Sequence, residues 1–147
     1  MQDVATPAGA GSRRVLLIDD ELTIRLALRR FFTRMGWRVD EATNGESGFS
    51  MILLDEQQTS TAPYDIILSD LRMPGLNGIE LYDRLKALTP RVLARLVFST
   101  GDIVSQEAAE FVNNSSCIVL QKPFELSTLR ATIAKVMQAP HDEPSPT

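Results

Sequence analysis

Short apolar runs and helically spaced apolar positions alternate along this chain. Residues 14–19 (RVLLID) are a run of branched side chains ending in carboxylates, the mark of a buried central strand. From 21 to 35, Ile24, Leu28, Phe31 and Met35 recur at helical spacing, and Gly36 stands where a left-handed C-terminal cap belongs. Residues 37–42 make a second strand, and Asn44 can cap a helix that buries Phe49, Ile52 and Leu53. After a polar loop at 57–63 come a strand at 65–69 and a turn carrying Pro74, Gly75, Asn77 and Gly78. A helix at 79–88 shows Leu81, Leu85 and Leu88 on one face and stops at Thr89-Pro90. A fourth strand at 95–99, a short helix at 105–113 and a fifth strand at 116–121 follow. A last helix presents Leu126, Leu129, Ile133 and Val136.

Five strand-helix pairs of this kind predict an α/β fold, with right-handed crossovers and a sheet covered on both faces. The usual solution is the flavodoxin-like, doubly wound, five-stranded parallel sheet of order 2-1-3-4-5 with five helices, whose ligands bind at the C-terminal ends of the strands. Residues 1–12 and 139–147 read as loose tails around one domain at 13–138; His141 falls in the second tail.

Composition narrows the function. The 15 Lys+Arg against 19 Asp+Glu give a net charge of −4, and no basic surface dominates, so direct nucleic-acid binding is not expected. No apolar stretch approaches the roughly 18 residues of a membrane span, and the N-terminus lacks the order of a secretory signal, which predicts a cytoplasmic protein. The single Cys117 lies in an apolar run and reads as a packing residue. After Lys122, 25 residues remain, room for one helix and a tail and not for an output domain.

The chemistry gathers behind the strands: Asp19, Asp20 and Glu21 after the first, Asp70 after the third, Ser99 and Thr100 after the fourth, Lys122 after the fifth. Strands one and three are neighbours in this topology, so Asp19, Asp20 and Asp70 crowd together. Two carboxylates about 6 Å apart at an effective dielectric near 20 repel by roughly 3 kcal/mol. A hard divalent cation answers that repulsion, and so does Lys122 reaching across; Mg²⁺ suits an open cluster that takes one or two carboxylates plus phosphate oxygens. A carboxylate beside such an ion, a lysine and a hydroxyl is a site for phosphoryl transfer. Asp70 is then the nucleophile and forms an acyl phosphate, Lys122 neutralises the equatorial oxygens, Thr100 donates its hydroxyl hydrogen, and Gly101 leaves room beside it.

These residues resemble the receiver domain of two-component response regulators over about 13–138. The marks are Asp19-Asp20 after an apolar strand, Asp70 followed by Leu71-Arg72-Met73-Pro74-Gly75-Leu76-Asn77-Gly78, Ser99-Thr100-Gly101, and Lys122-Pro123-Phe124 before the last helix. The resemblance implies that Asp70 accepts phosphate from a phosphohistidine on a histidine kinase or phosphotransfer protein. It implies Mg²⁺ or Mn²⁺ ligated by Asp20, Asp70 and the backbone carbonyl of Arg72, with Asp19 acting through water, and a cis bond at Lys122-Pro123. The Ser-Thr-Gly-Asp loop and the Lys-Pro-Phe-Glu-Leu ending also look like receivers attached to hybrid histidine kinases. The implied role is a phosphoacceptor that signals by binding a downstream protein or a second copy of itself, or relays its phosphate, rather than a turnover enzyme. Many receivers carry Tyr or Phe three residues before the lysine; Val119 stands there and cannot make an aromatic swing. Arg25, Arg29, Arg30 and Arg34 read as a solvated cationic face of the first helix, which the resemblance makes a candidate dock for a kinase or phosphotransfer helix. Arg72 and Asp102 are expected to pair across the pocket. The alternative is a haloacid-dehalogenase-type Mg²⁺-dependent phosphatase, whose acidic pair comes late in the chain instead of first. A flavin carrier is disfavoured by the lack of a hydroxyl-rich loop after strand one.

Overall fold

The structure, a computed structural model, describes residues 13–58, 63–101 and 105–138. Five strands alternate with five α-helices: β1 (Arg14–Ile18), α1 (Leu22–Arg34), β2 (Arg38–Ala42), α2 (Gly45–Gln57), β3 (Ile66–Asp70), α3 (Gly78–Leu88), β4 (Leu96–Thr100), α4 (Gln106–Asn114), β5 (Ile118–Gln121) and α5 (Leu126–Gln138). All pairings are parallel and the order is β2-β1-β3-β4-β5, the 2-1-3-4-5 arrangement expected from the alternation.

Because successive strand side chains point to opposite faces, each strand feeds two cores. Leu16, Ile18, Ile67 and Phe98 pack with Ile52 of α2, Leu81 and Leu85 of α3 and Phe111 of α4. Val15, Leu17, Ile66, Leu68 and Val97 pack with Leu28, Phe31 and Phe32 of α1 and Leu129, Ile133 and Val136 of α5. Helices α1 and α5 therefore cover one face, and α2, α3 and α4 the other. With both faces covered, the central strands β1, β3 and β4 have almost no solvated side, which is why they read as largely apolar runs.

Helix ends follow local chemistry. Asn44 Oδ1 accepts from Ser47 N at 2.8 Å at the start of α2. Asn77 and Glu80 form a reciprocal capping box at 2.9 Å on each arm at the start of α3. Gly36 follows α1 at φ +88°, the left-handed conformation anticipated there.

Several expectations are corrected. Pro90 does not simply stop α3: it opens a 3-10 helix, Pro90–Arg95, so β4 begins at Leu96. Leu88 and Leu126 are 63% and 53% exposed, because each sits at a helix end beyond the reach of the sheet. Arg25 is buried among the α1 residues that face the core, and the solvated cationic face is thus Arg29, Arg30 and Arg34. Cys117 is half-buried against the core, and burial pushes its thiol pKa up to about 11.

Among the described residues, no helix is long and apolar enough to cross a membrane.

Candidate functional site

The sheet ladder continues past the strand ends and thereby positions the polar residues behind them. Asp19 N donates to Ala42 O at 3.2 Å, Leu71 N to Ser99 O at 2.8 Å, and Lys122 N to Thr100 O at 2.8 Å. Asp70 itself is the last residue of β3, in register with Ser99. Behind it, the first turn of α3 presses close: Gly78 N donates to Leu71 O at 2.8 Å. A Cβ on Gly78 would stand 2.8 Å from Leu71 Cα and 2.9 Å from Asp70 O, so only glycine lets α3 abut the strand end.

Three carboxylates and one ammonium converge at this edge. Lys122 Nζ lies 3.3 Å from Asp70 Oδ2, 3.4 Å from Asp19 Oδ2 and 3.4 Å from Glu21 Oε1. Each contact is longer than the 2.7–2.9 Å of a committed charge-assisted bond; the lysine is shared among the acids rather than paired with one. Oxygens of Asp19, Glu21 and Asp70 all come within 4.8 Å of one another. Asp19 and Asp70 are buried, while Glu21 is exposed on the rim.

Burial raises the pKa of both Asp19 and Asp70, and Lys122 pulls each back down only in part. For Lys122, burial opposes the charged form, but Asp70 and Asp19 outweigh it and hold the ammonium above the ordinary lysine value. The site thus carries crowded negative charge under one cation. Its donor set is hard carboxylate oxygen throughout, the chemistry that suits Mg²⁺ or a similar cation.

The other expected residues take their places as follows. Asp20 is exposed and is not among the converging acids, which are Asp19, Glu21 and Asp70. Arg72 is exposed, and its backbone N approaches Asp70 Oδ1 at 3.4 Å. Thr100 is fully buried at the end of β4; Gly101 follows on the surface, with nothing within 4 Å of where a Cβ would stand. The Lys122-Pro123 bond is cis. Val119 is half-buried against the core in register with Phe98, at the edge of a groove of about 280 Å³ between α4 and β5. The expected Arg72–Asp102 pairing falls on Asp102, outside the described residues, as do both tails and His141.

Sequence reasoning missed two participants. Glu21 reads only as the end of the acidic run, and nothing in its position signals that its carboxylate joins those of Asp19 and Asp70. The charge of Arg25 reads as solvated, although its spacing to Leu28 and Phe32 (i+3 and i+7) puts it on the buried stripe of α1.

The family model for the response regulator receiver domain matches residues 15–134. The chain is 25% identical over 127 residues to sporulation initiation phosphotransferase F of Bacillus subtilis, covering 86% of this chain and 94% of that protein. It is 32% identical over 130 residues to a probable chemotaxis protein CheY of Rhizobium etli, covering 86% and 93%. Among solved structures, its fold is similar to the receiver domain of the sensor histidine kinase PA1611 of Pseudomonas aeruginosa. That likeness has a TM-score of 0.72 at 21% identity, covers 88% of this chain and all of the other, and the PA1611 domain holds a magnesium ion in its active-site cleft.

Proposed function

Because this chain belongs to the response regulator receiver domain family and is a receiver of two-component signalling, we propose that Asp70 is its phosphoacceptor. The observation that carries the reading is the sharing of Lys122 Nζ, at 3.3–3.4 Å, among carboxylates from two separate strand ends. The donor is a phosphohistidine on a histidine kinase or a phosphotransfer protein. An Asp70 carboxylate oxygen bonds to phosphorus as the P–N bond breaks, and the leaving imidazole nitrogen keeps the electron pair and takes up a proton. Lys122 exchanges its hold on the three acids for the transferred group, and the Thr100 hydroxyl, from the adjoining strand end, donates to one of its oxygens. Ordered backbone around Asp70, fixed by Gly78 and the Leu71–Ser99 bond, holds the nucleophile in place for in-line attack.

Asp19, Asp20, Asp70 and the backbone carbonyl of Arg72 would hold Mg²⁺ or Mn²⁺, with Glu21 adding negative charge at the rim. Such an ion supplies charge neutralisation for the phosphoryl oxygens when bound. Each chain takes one phosphoryl group and later loses it to water or to another histidine, without turnover of a substrate. The output is protein binding, to a downstream partner or a second copy, in the cytoplasm where ATP-fed histidine kinases place their phosphate. With Val119 three positions before the lysine, the output does not run through an aromatic rotamer at that site.

Incubation with acetyl phosphate followed by intact mass measurement tests the reading. A single phosphate adduct that needs Mg²⁺ and disappears in Asp70→Asn is the expected result. An adduct that persists in Asp70→Asn would place the chemistry elsewhere.

A further inference from the structure

The three acids lie on a turn and a strand end whose mutual repulsion must be resisted before any cation arrives, and the main chain at Asp19 has one support from outside the turn that is itself charged. Arg25 Nη1 donates to Asp19 O at 2.8 Å, in a buried bond. Its Nε donates to Glu41 Oε1 at 3.1 Å, and Glu41 also pairs with Arg29. Glu41 sits on β2 in register with Leu17, one position before Ala42, whose carbonyl accepts from Asp19 N. The peptide groups flanking Asp19 are therefore gripped on both sides. Its N–H is tied to β2 by the ladder, and its C=O is tied to the same strand through the guanidinium of Arg25.

A guanidinium is costly to bury: only about 9% of Arg25 is exposed. That cost is met by one carboxylate and one carbonyl, the groups that a planar fork satisfies at fixed angles and a flexible ammonium does not. If α1 needed only packing here, an apolar side chain would serve beside Leu28 and Phe32. We infer that Arg25, oriented by Glu41, is a positioning residue that sets the β1–α1 turn so that the Asp19 and Asp20 carboxylates are preorganised for the cation; this rests on the phosphoacceptor reading above. Arg25 touches none of the reacting groups. It acts on where the Asp19 backbone stands, and hence on how much reorganisation cation binding must bring about.

The test is Mg²⁺ titration by calorimetry together with acetyl phosphate labelling across Mg²⁺ concentrations and a melt in EDTA. Arg25→Met is expected to weaken Mg²⁺ affinity about 10-fold, the lower end of what loss of a group orienting metal ligands costs. The Mg²⁺ concentration for half-maximal labelling should rise by the same factor, and the rate at saturating Mg²⁺ should stay within about twofold. Arg25→Lys, which can reach the carbonyl but cannot fork to Glu41, should recover part of the affinity. Glu41→Gln, which keeps the volume and removes the anionic anchor, should weaken binding in the same direction by less. A folded Arg25→Met protein with wild-type Mg²⁺ affinity overturns the inference, whatever its melting temperature. Should Arg25→Met fail to fold, an unchanged affinity in Glu41→Gln overturns it equally. A wild-type protein with no measurable Mg²⁺ affinity would instead overturn the phosphoacceptor site itself.

Discussion

The two edges of the sheet handle charge in opposite ways. At the N-terminal edge, Arg14 pairs with Asp55 at 2.8 Å and with Asp40 at 3.4 Å, and Arg13 with Asp65 at 3.9 Å. Arg95 and Arg91 share Glu56 at 3.1 and 3.0 Å. Tyr64 joins in through its hydroxyl, which donates to Asp40 at 2.6 Å, and its ring, which lies 4.3 Å under Arg14. Four cations meet four anions. At the C-terminal edge, among the described residues, one ammonium is shared by three acids. The matched edge fastens β1, β2, β3, α2 and the 3-10 helix together. The mismatched edge stores an appetite for a cation, and the first is expected to be alterable without touching the second.

Three measurements bear on that division, and the largest effect lies at the matched edge. Asp55 Oδ1 accepts from Arg14 and Oδ2 from Tyr64 N at 3.0 Å, with only 5% of its side chain exposed. Asp55→Ala leaves a largely buried arginine short of its main partner, so it should cost about 3–5 kcal/mol in urea unfolding. Mg²⁺ affinity should stay at the wild-type value; a loss of affinity in the folded variant would show that the edges are coupled. Next comes Gly78→Ala, whose methyl must displace the backbone of Leu71 or Asp70. The expected cost is about 1–3 kcal/mol, together with slower labelling by acetyl phosphate; unchanged labelling would mean that Asp70 tolerates the shift.

The smallest effect tests the sign of the mismatch. Asp70 has its pKa raised in the folded protein, mainly by burial. A raised carboxyl contributes stability that is fully present below the ordinary aspartate value and is lost as pH rises through the folded value. In EDTA, Asp70→Asn should therefore melt above wild type at neutral pH, with the gap closing as pH falls below the unfolded aspartate pKa. Saturating Mg²⁺ should raise the wild type and not the variant, since a cation that binds only the folded form stabilises it by mass action. Glu56, whose pKa Arg91 and Arg95 lower against its burial, works in the other direction: its contribution is present at neutral pH and is lost as pH falls through its depressed value.

Much of this was legible in the chain because strands and helices write different periods. Arg14–Ile18, Ile66–Asp70 and Leu96–Thr100 read as apolar runs because both sheet faces are covered, and strand order then placed Asp19, Asp70 and Lys122 at one edge. What local pattern could not supply is which distant group a charge meets. Arg14 finds Asp55 across 41 positions and Arg95 finds Tyr64 O across 31, so the fastening at the N-terminal edge left no trace in any window. Arg25 is unreadable for a related reason: a charged residue is expected outside, and it is the distant Glu41 and the Asp19 carbonyl that make its burial affordable. The 3-10 helix went unread because Pro90 signals the end of one helix and the start of another equally well.

The sharing of Lys122 also governs its reactivity as an amine. The chain has three lysines, of which Lys86 and Lys135 are exposed, while 16% of the Lys122 side chain is. Acylating reagents consume only the neutral amine, and a trio of acids keeps this one protonated. Lys86 and Lys135 are therefore modified first, and the onset of Lys122 modification dates the moment at which its acids acquire another counter-ion.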